Sequence, residues 1–493
     1  MNDVLLAIDQ GTTGTTALVL SVAGKTLGRA TIEFAQHFPR PGWVEHDANE
    51  IWKTVGESVT RALANANIPA ASVAAIGITN QRETTLVWDR KTGEPIHRAI
   101  VWQCRRTADA CDALKAKGAA KMIFDKTGLV IDAYFSGTKI AWLLDNVEGA
   151  RARADRGELS FGTIDTFLVH RLSAAAAHVT DVTNASRTML MDLRTLAWDD
   201  ELCGLLRVPR SVLPEIKGSA EIVARTKGLG FLPDGIPIAG IAGDQQAALF
   251  GQACFSEGDA KCTYGTGAFA LVNIGHTPRF STHGLLTTVA WRIGKDTTYA
   301  IEGSAFIAGA AVQWLRDGLG IIKHAKDVEA LARSVPASDG VTLVPALAGL
   351  GAPYWDQDAR GAITGITRGT TAAHIARATL EGIALSVNDL LVAMARDAGR
   401  PITRLRVDGG AAANDLLMQI QADMANVTVD RPAELESTGR GAAMLAGVGA
   451  GLCDLTAARG MLAIQTEFAP EMSDGDRHAH LNRWKTAVAA ARL

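Results

Sequence analysis

Apolar and polar positions along this chain fall into short blocks, and the first block predicts a hairpin. Leu5-Leu6-Ala7-Ile8 ends at Asp9, passes through Gln10-Gly11-Thr12-Thr13-Gly14-Thr15-Thr16 and returns as Ala17-Leu18-Val19-Leu20. Two apolar runs around a Gly/Thr tip read as paired β-strands. Gly24-Lys25 then turns the chain into a third antiparallel strand at 26–30. Asp47 and Glu50 resemble a capping box opening a helix at 51–64. Residues 73–79 and 84–88 read as further strands. Three strands, a helix and a strand make a ribonuclease-H-like half rather than a strict βαβ unit, so the fold class is α/β. The pattern restarts at 261–272, where Gly265-Thr266-Gly267 again separates two apolar runs. This predicts two similar domains facing each other, 1–250 and 251–493. A polar tail from about Glu467 ends in a helical stretch at 477–493.

Length agrees with that division, because 493 residues exceed what one core usually holds. A formal charge of −3 with no basic block argues against nucleic acid or an anionic membrane as main partner. The six cysteines form no C-x-x-C pair and no zinc spacing, and read as reduced, half-buried thiols. The start, Met1-Asn2-Asp3-Val4, lacks a basic leader region. No apolar run approaches the roughly 20 residues of a membrane helix without interruption by Gly, Pro or charge. The expected location is cytoplasmic.

Three glycine turns carry candidate chemistry. In the first hairpin, Gly11 and Gly14 let backbone N–H groups approach a phosphate, while Thr12 and Thr13 add hydroxyls. Asp9, at the strand end, suits Mg²⁺ held directly or through water. The second turn is Gly265-Thr266-Gly267. The third, Asp408-Gly409-Gly410 ahead of Asn414, joins a strand to a stretch of small residues. Any one of these is also an ordinary small-residue turn; three together point to a nucleotide cleft. Neither a P-loop nor a dinucleotide fingerprint is present. Asp244 follows the apolar run at 237–243. It reads either as a helix N-cap or as a carboxylate that takes a proton from a substrate hydroxyl. Arg82 and Glu83 follow another strand end, and offer donors and an acceptor to a small polyol or form a surface ion pair. Trp102, Tyr134 and Phe269 suit the carbon face of such a substrate or the core.

These segments, with Tyr134-Phe135-Ser136-Gly137-Thr138-Lys139, Gly243-Asp244-Gln245-Gln246 and Thr183-Asn184-Ala185-Ser186-Arg187-Thr188-Met189-Leu190, resemble the FGGY carbohydrate kinases of the actin/Hsp70/hexokinase superfamily. The likeness runs from about Val4 to Gly451. Asn80-Gln81-Arg82-Glu83-Thr84-Thr85 and Trp102-Gln103-Cys104-Arg105-Arg106 are narrower, and are similar to members that phosphorylate glycerol. The resemblance implies ATP-dependent phosphoryl transfer to a terminal hydroxyl of glycerol, with Mg²⁺ held by Asp9. Asp244 would be the general base. Arg82, Glu83, Tyr134, Asp244 and Gln245 would bind the hydroxyls, between Trp102 and Phe269. Thr12, Thr13, Gly14, Gly265 and Thr266 would meet the phosphates; Gly309, Gln313, Gly410 and Asn414 would line the adenosine pocket. It also implies a homo-oligomer, dimer or tetramer. Two readings stand beside it: a pentulose or longer-polyol kinase of the same family, and an actin- or Hsp70-like switch. The chain departs from the family at Gly14-Thr15-Thr16, where many glycerol-phosphorylating members carry Ser-Ser-Arg. It departs again at Asp234-Gly235, where members inhibited by fructose 1,6-bisphosphate carry an Arg.

Overall fold

The structure, a computed structural model, describes residues 3–492; Met1, Asn2 and Leu493 of the readings above lie outside the described residues. The first hairpin is β1 (Val4–Gln10) and β2 (Gly14–Ser21), continued antiparallel by β3 (Thr26–Glu33). Alternation along β1 divides its side chains between two cores. Leu6 and Ile8 pack with Ile51, Val55 and Val59 of α1 (Ala48–Ala66), while Leu5 and Ala7 face the other side. The period of two therefore brings Asp9 to the face of Leu5 and Ala7. Buried Ile51, Val55, Val59 and Leu63 of α1 each contribute about 1.5–3 kcal/mol. Asp47 caps α1 by accepting from the amides of Asn49 and Glu50, but the Glu50 carboxylate lies 3.9 Å from His37 Nε2.

Next along the chain, β4 (Val73–Asn80) pairs parallel with β1. The strand expected at 84–88 begins later, at Leu86–Asp89, and pairs with Leu159–Gly162 outside this sheet. The reason is Glu83, whose φ of +59° breaks the extended run between the two strands. After α2 (Ser136–Asn146) come β5 (Ala220–Arg225), β6 (Pro237–Gly243) and α3 (Asp244–Gly251). The first sheet has the order β5-β6-β4-β1-β2-β3.

The second sheet begins with β7 (Ala260–Tyr264), β8 (Ala268–Asn273), β9 (Leu286–Ile293) and β10 (Asp296–Ala305). Helices α4 (Gly309–Asp317) and α5 (Ala372–Ala398) precede β11 (Arg404–Asp408). The chain continues through α6 (Asp415–Ala425), β12 (Thr428–Pro432), α7 (Ser437–Gly449), β13 (Ile464–Phe468) and α8 (Asp474–Ala491). The sheet order is β9-β10-β8-β7-β11-β12-β13. Within the two sheets, β3-β2-β1-β4-β6 and β10-β8-β7-β11-β12 share one pattern, three antiparallel strands followed by two parallel ones. The expected ribonuclease-H-like architecture is thus present twice.

Helix α7 follows β12 of the second sheet yet lies on the first, packing against β1, β4, β6 and α3. Small residues allow that approach. A Cβ on Gly441 would come within 1.8 Å of the Ala247 carbonyl oxygen of α3, and one on Gly77 within 2.0 Å of the Ala442 carbonyl oxygen. One apolar cluster joins the two sheets here, from Leu5, Ala7 and Phe250 to Leu271, Ala290 and Ala300. Helix α5 is long and apolar enough to cross a membrane by composition, although no such run was expected; 78% of its apolar window is buried inside the protein, as in a core helix. All six cysteines are free; five are buried and Cys453 is half-buried.

Candidate active site

Where strands β1, β4 and β6 end, the polar residues that follow them meet. Arg82 and Glu83, expected at a cleft or in a surface ion pair, are 2% and 1% exposed. The backbone of Glu83 is in the left-handed region without being glycine. Its carbonyl oxygen accepts from Thr85 Oγ1 at 3.0 Å, Ser136 Oγ at 3.1 Å and Lys139 Nζ at 3.1 Å. Three donors on one acceptor hold a turn that would otherwise cost about 1–3 kcal/mol. Burial pulls the Lys139 ammonium down to about 8.

The Arg82 stem lies over Gly243, where a Cβ would come within 2.7 Å of its Cγ and Cδ. Its Nη1 donates to Glu302 Oε2 at 2.5 Å and Gln246 Oε1 at 3.2 Å, and its Nη2 to Glu302 Oε1 at 2.8 Å and Tyr134 Oη at 3.4 Å. The Nε edge approaches Asp244 Oδ1 at 3.2 Å and Glu83 Oε1 at 3.8 Å. Arg187 completes the cluster, donating from Nε to Glu83 Oε1 at 2.6 Å and from Nη2 to Glu302 Oε1 at 3.1 Å. Burial alone would raise the Glu302 carboxyl, but the Arg187 and Arg82 guanidiniums overcome it and hold the group down at about 2.

Asp244 is the first residue inside α3 and not its N-cap, a place taken by Gly243. Its Oδ1 accepts from the Gln245 amide at 2.7 Å, and its side chain is 33% exposed. An acid in the first helical turn is favoured by the helix dipole. The next residue, Gln245, accepts from Lys261 Nζ at 2.5 Å. Trp102 joins the expected acceptor residues to the expected phosphate residues: its Nε1 donates to Thr12 Oγ1 at 3.0 Å, and its ring meets Tyr134 edge-on at 5.6 Å between centroids. Phe269 is half-buried on β8, opposite Thr263 and Ser304.

In the first hairpin tip, Gly11 N donates to the Gly14 carbonyl at 2.9 Å and Thr13 is exposed. Asp9 lies opposite Thr16 and Thr79. Burial, then the neighbouring Asp244 and Glu436 carboxylates, push the Asp9 carboxyl up to about 8, and Arg29 offsets them only in part. A half-buried carboxylate beside another, with no hydrogen bond from the described residues shifting it, fits a hard divalent cation that takes oxygen ligands. Among the described residues, no group of three or more His, Cys, Asp or Glu forms a ready metal cage. Substrate phosphates and water would have to supply the remaining ligands. Thr16, where the family pattern has an Arg, shares a hydrogen bond with Thr31 at 2.9 Å, and Arg29 of β3 pairs with Glu436 at 2.7 Å.

The second hairpin tip mirrors the first. Gly265 N donates to the Gly267 carbonyl at 2.9 Å, and Gly309 N at the start of α4 donates to the Gly265 carbonyl at 2.9 Å. A Cβ on Gly309 would meet that carbonyl at 2.6 Å, so the helix can start this close only with glycine. Thr266, Gln313 and Gly410 are exposed. The third turn needs Gly409, at φ +84° and against the Tyr264 carbonyl. Asn414 uses its amide oxygen to cap α6, accepting from Leu417 N at 2.9 Å. Sequence reasoning missed Glu302, Lys261 and the roles of Arg187, Lys139 and Gln246. The available signal for Glu302 was an acid inside the apolar run of β10.

The model of the FGGY family of carbohydrate kinases, N-terminal domain, matches residues 4–251, and that of the C-terminal domain matches 260–450. The chain is 57% identical over 490 residues to a glycerol kinase of Myxococcus xanthus, covering 99% of each, and 55% identical over 494 residues to one of Geobacillus kaustophilus, covering 100% of this chain and 99% of that one. The glycerol kinase of Plasmodium falciparum, solved with ADP, superposes with a TM-score of 0.93 at 36% identity over 100% of this chain and 98% of its own. A gluconate kinase of Lactobacillus acidophilus, at 22% identity, TM-score 0.88 and 99% and 97% coverage, shares the fold. Two family models across most of its length, with relatives of this identity over all of it, make the chain a member of the FGGY carbohydrate kinases.

Proposed function

We propose that this protein transfers the γ-phosphoryl group of ATP to a terminal hydroxyl of glycerol, giving sn-glycerol 3-phosphate and ADP. The observation that carries the reading is the contact of Trp102 Nε1 with Thr12 Oγ1, which supports taking Arg82, Glu83, Tyr134 and Asp244 as an acceptor pocket and the neighbouring Gly/Thr turn as its phosphate side. Full-length relatives named glycerol kinase support the same acceptor.

In this reading the acceptor lies between Trp102 and Phe269, and its hydroxyls meet Arg82, Glu83, Tyr134 and Gln245. Asp244 receives the proton of the attacking hydroxyl on Oδ2. Phosphoryl transfer through a loose transition state asks only modest base strength of it. The phosphates rest between Thr12, Thr13 and Gly14 on one side and Gly265 and Thr266 on the other. Gly309, Gln313, Gly410 and Asn414 line the adenosine pocket. Asp9 would hold Mg²⁺, which when bound neutralises phosphate charge. We take 1–250 and 251–493 as the two domains, whose closure excludes water as a competing acceptor. A homo-oligomer belongs to the same reading and is tested by light scattering.

Two aromatic rings and a buried Arg82–Glu83 pair favour a small acceptor over a pentulose. ADP release is to be measured with glycerol, erythritol, xylulose and no acceptor. Strong stimulation by glycerol alone is expected; equal release with and without it would defeat the proposal.

A further inference from the structure

Glu302 stands in the acceptor site from the far side. It sits on β10 of the second sheet, opposite Leu271 of β8 and Leu286 of β9, whereas Arg82 follows β4 of the first sheet. At 1% exposure and with leucines across both neighbouring strands, an acid here is costly unless paired. Its two oxygens take three guanidinium hydrogen bonds, two from Arg82 and one from Arg187.

The donors of Arg82 explain what this pairing achieves. Four N–H groups on Nη1 and Nη2 are engaged, two of them by Glu302 at 2.5 and 2.8 Å. The weaker contacts, to Tyr134 at 3.4 Å and the Nε approach to Asp244 at 3.2 Å, face the acceptor side. A guanidinium this close to a carboxylate would ordinarily close into a bidentate pair. That would occupy the oxygens of Asp244, the group the proposed reaction uses as base. Glu302 holds the opposite edge of the guanidinium and prevents the closure.

We propose that Glu302 is a positioning residue that limits Arg82 to a single Nε contact with Asp244 Oδ1, leaving Asp244 Oδ2 free for the acceptor hydroxyl. The inference rests on the phosphotransfer reading above. A purely structural salt bridge would also make the double loss milder than the sum, because either single loss strands a buried charge, but kcat would then follow Tm across the variants. The positioning role requires kcat to recover in the double variant whatever the Tm values, since with Arg82 gone nothing is left to close on Asp244.

The test measures kcat and KM for glycerol with Mg²⁺-ATP in the full chain for wild type, E302Q, R82M and R82M/E302Q. E302Q is expected to lower kcat about 10- to 100-fold, as a misplacement of roughly 1 Å does in a preorganised site. R82M/E302Q is expected to regain about tenfold in kcat over E302Q while its KM stays high, since the acceptor has lost a donor. A double variant no faster than E302Q, or an E302Q enzyme within about twofold of wild type in both constants, overturns the inference. Should E302Q not fold by thermal melting, E302D, which withdraws the carboxylate by one methylene, is compared with R82M/E302D by the same criterion. Wild-type ADP release indifferent to glycerol overturns the underlying reading, and this inference with it.

Discussion

Replacing Asp9 by Asn should stabilise the nucleotide-free protein while disabling it. In the fold the Asp9 carboxyl is pushed from 3.8 up to about 8, chiefly by burial and next by Asp244 and Glu436. Above its unfolded pKa the unfolded chain carries the charge freely, whereas the folded chain keeps the proton until about pH 8. Stability held below about pH 4 is therefore lost progressively as pH rises through 8. At about 1.36 kcal/mol per unit, the shift of roughly four units sets a ceiling near 6 kcal/mol. Solvent access to the half-buried group and an effective dielectric near 20 cut this to about 1–3 kcal/mol. Asn carries no charge at any of these pH values, so D9N should match wild type near pH 4 and exceed it increasingly toward pH 8. For a domain of this size about 2 kcal/mol corresponds to about 4–8 °C in Tm. Differential scanning calorimetry at pH 4.5, 6 and 8 without nucleotide reads the trend, and steady-state turnover with Mg²⁺-ATP reads the loss of function. A D9N Tm at or below wild type at pH 8, or a difference independent of pH, would refute the reasoning.

Three further substitutions test other parts of the site and its support. D244N should lose about 10²–10⁴-fold in kcat, the usual contribution of a positioned base, with the Tm little changed; wild-type turnover would remove Asp244 from that role. T16R sets a guanidinium opposite Asp9 across the hairpin, and should tighten ADP binding about 2- to 5-fold, the worth of an exposed ion pair. An unchanged Kd by calorimetry would mean the phosphates do not reach it. G441A forces α7 off α3, because its Cβ would stand 1.8 Å from the Ala247 carbonyl oxygen. It should cost about 3 kcal/mol in thermal unfolding, whereas G460A, with nothing within 4 Å, should be neutral; equal Tm values for the two would contradict the packing account.

Much of the architecture was legible because it is local. Alternation along β1 predicts the hairpin, and the same period brings Asp9 to the face that α7 covers. The glycines at 267 and 409 marked turns that do require them, and strand ends marked Arg82, Trp102 and Asp244. What escaped is non-local. Glu302 is 220 residues from Arg82, and Arg187 is 104 from Glu83. In the sequence Glu302 is a lone acid in an apolar run and Arg187 a lone base after a Thr/Asn/Ser stretch, and only the folded chain shows that they neutralise one another. Lys139 likewise shows no partner in the sequence, and the left-handed turn at Glu83 supplies its acceptor. Helix α7 belongs in sequence to the second half, but its glycines and alanines fit the first sheet, a match no local pattern reveals. Asp244 and Asn414 differ for a subtler reason. Acid and amide side chains at helix starts serve caps and ligands equally well, and the register of one residue decides between them.

The central claim is that the pocket of Arg82, Glu83, Trp102, Tyr134 and Asp244 delivers a small polyol to ATP. Coupled-assay ADP release from the purified full chain, with Mg²⁺-ATP held saturating and glycerol varied against xylulose and a no-acceptor control, measures it most directly. The account predicts saturable glycerol-dependent release and formation of one equivalent of glycerol phosphate per ADP. Release that ignores glycerol, or that responds to xylulose and not to glycerol, would contradict it.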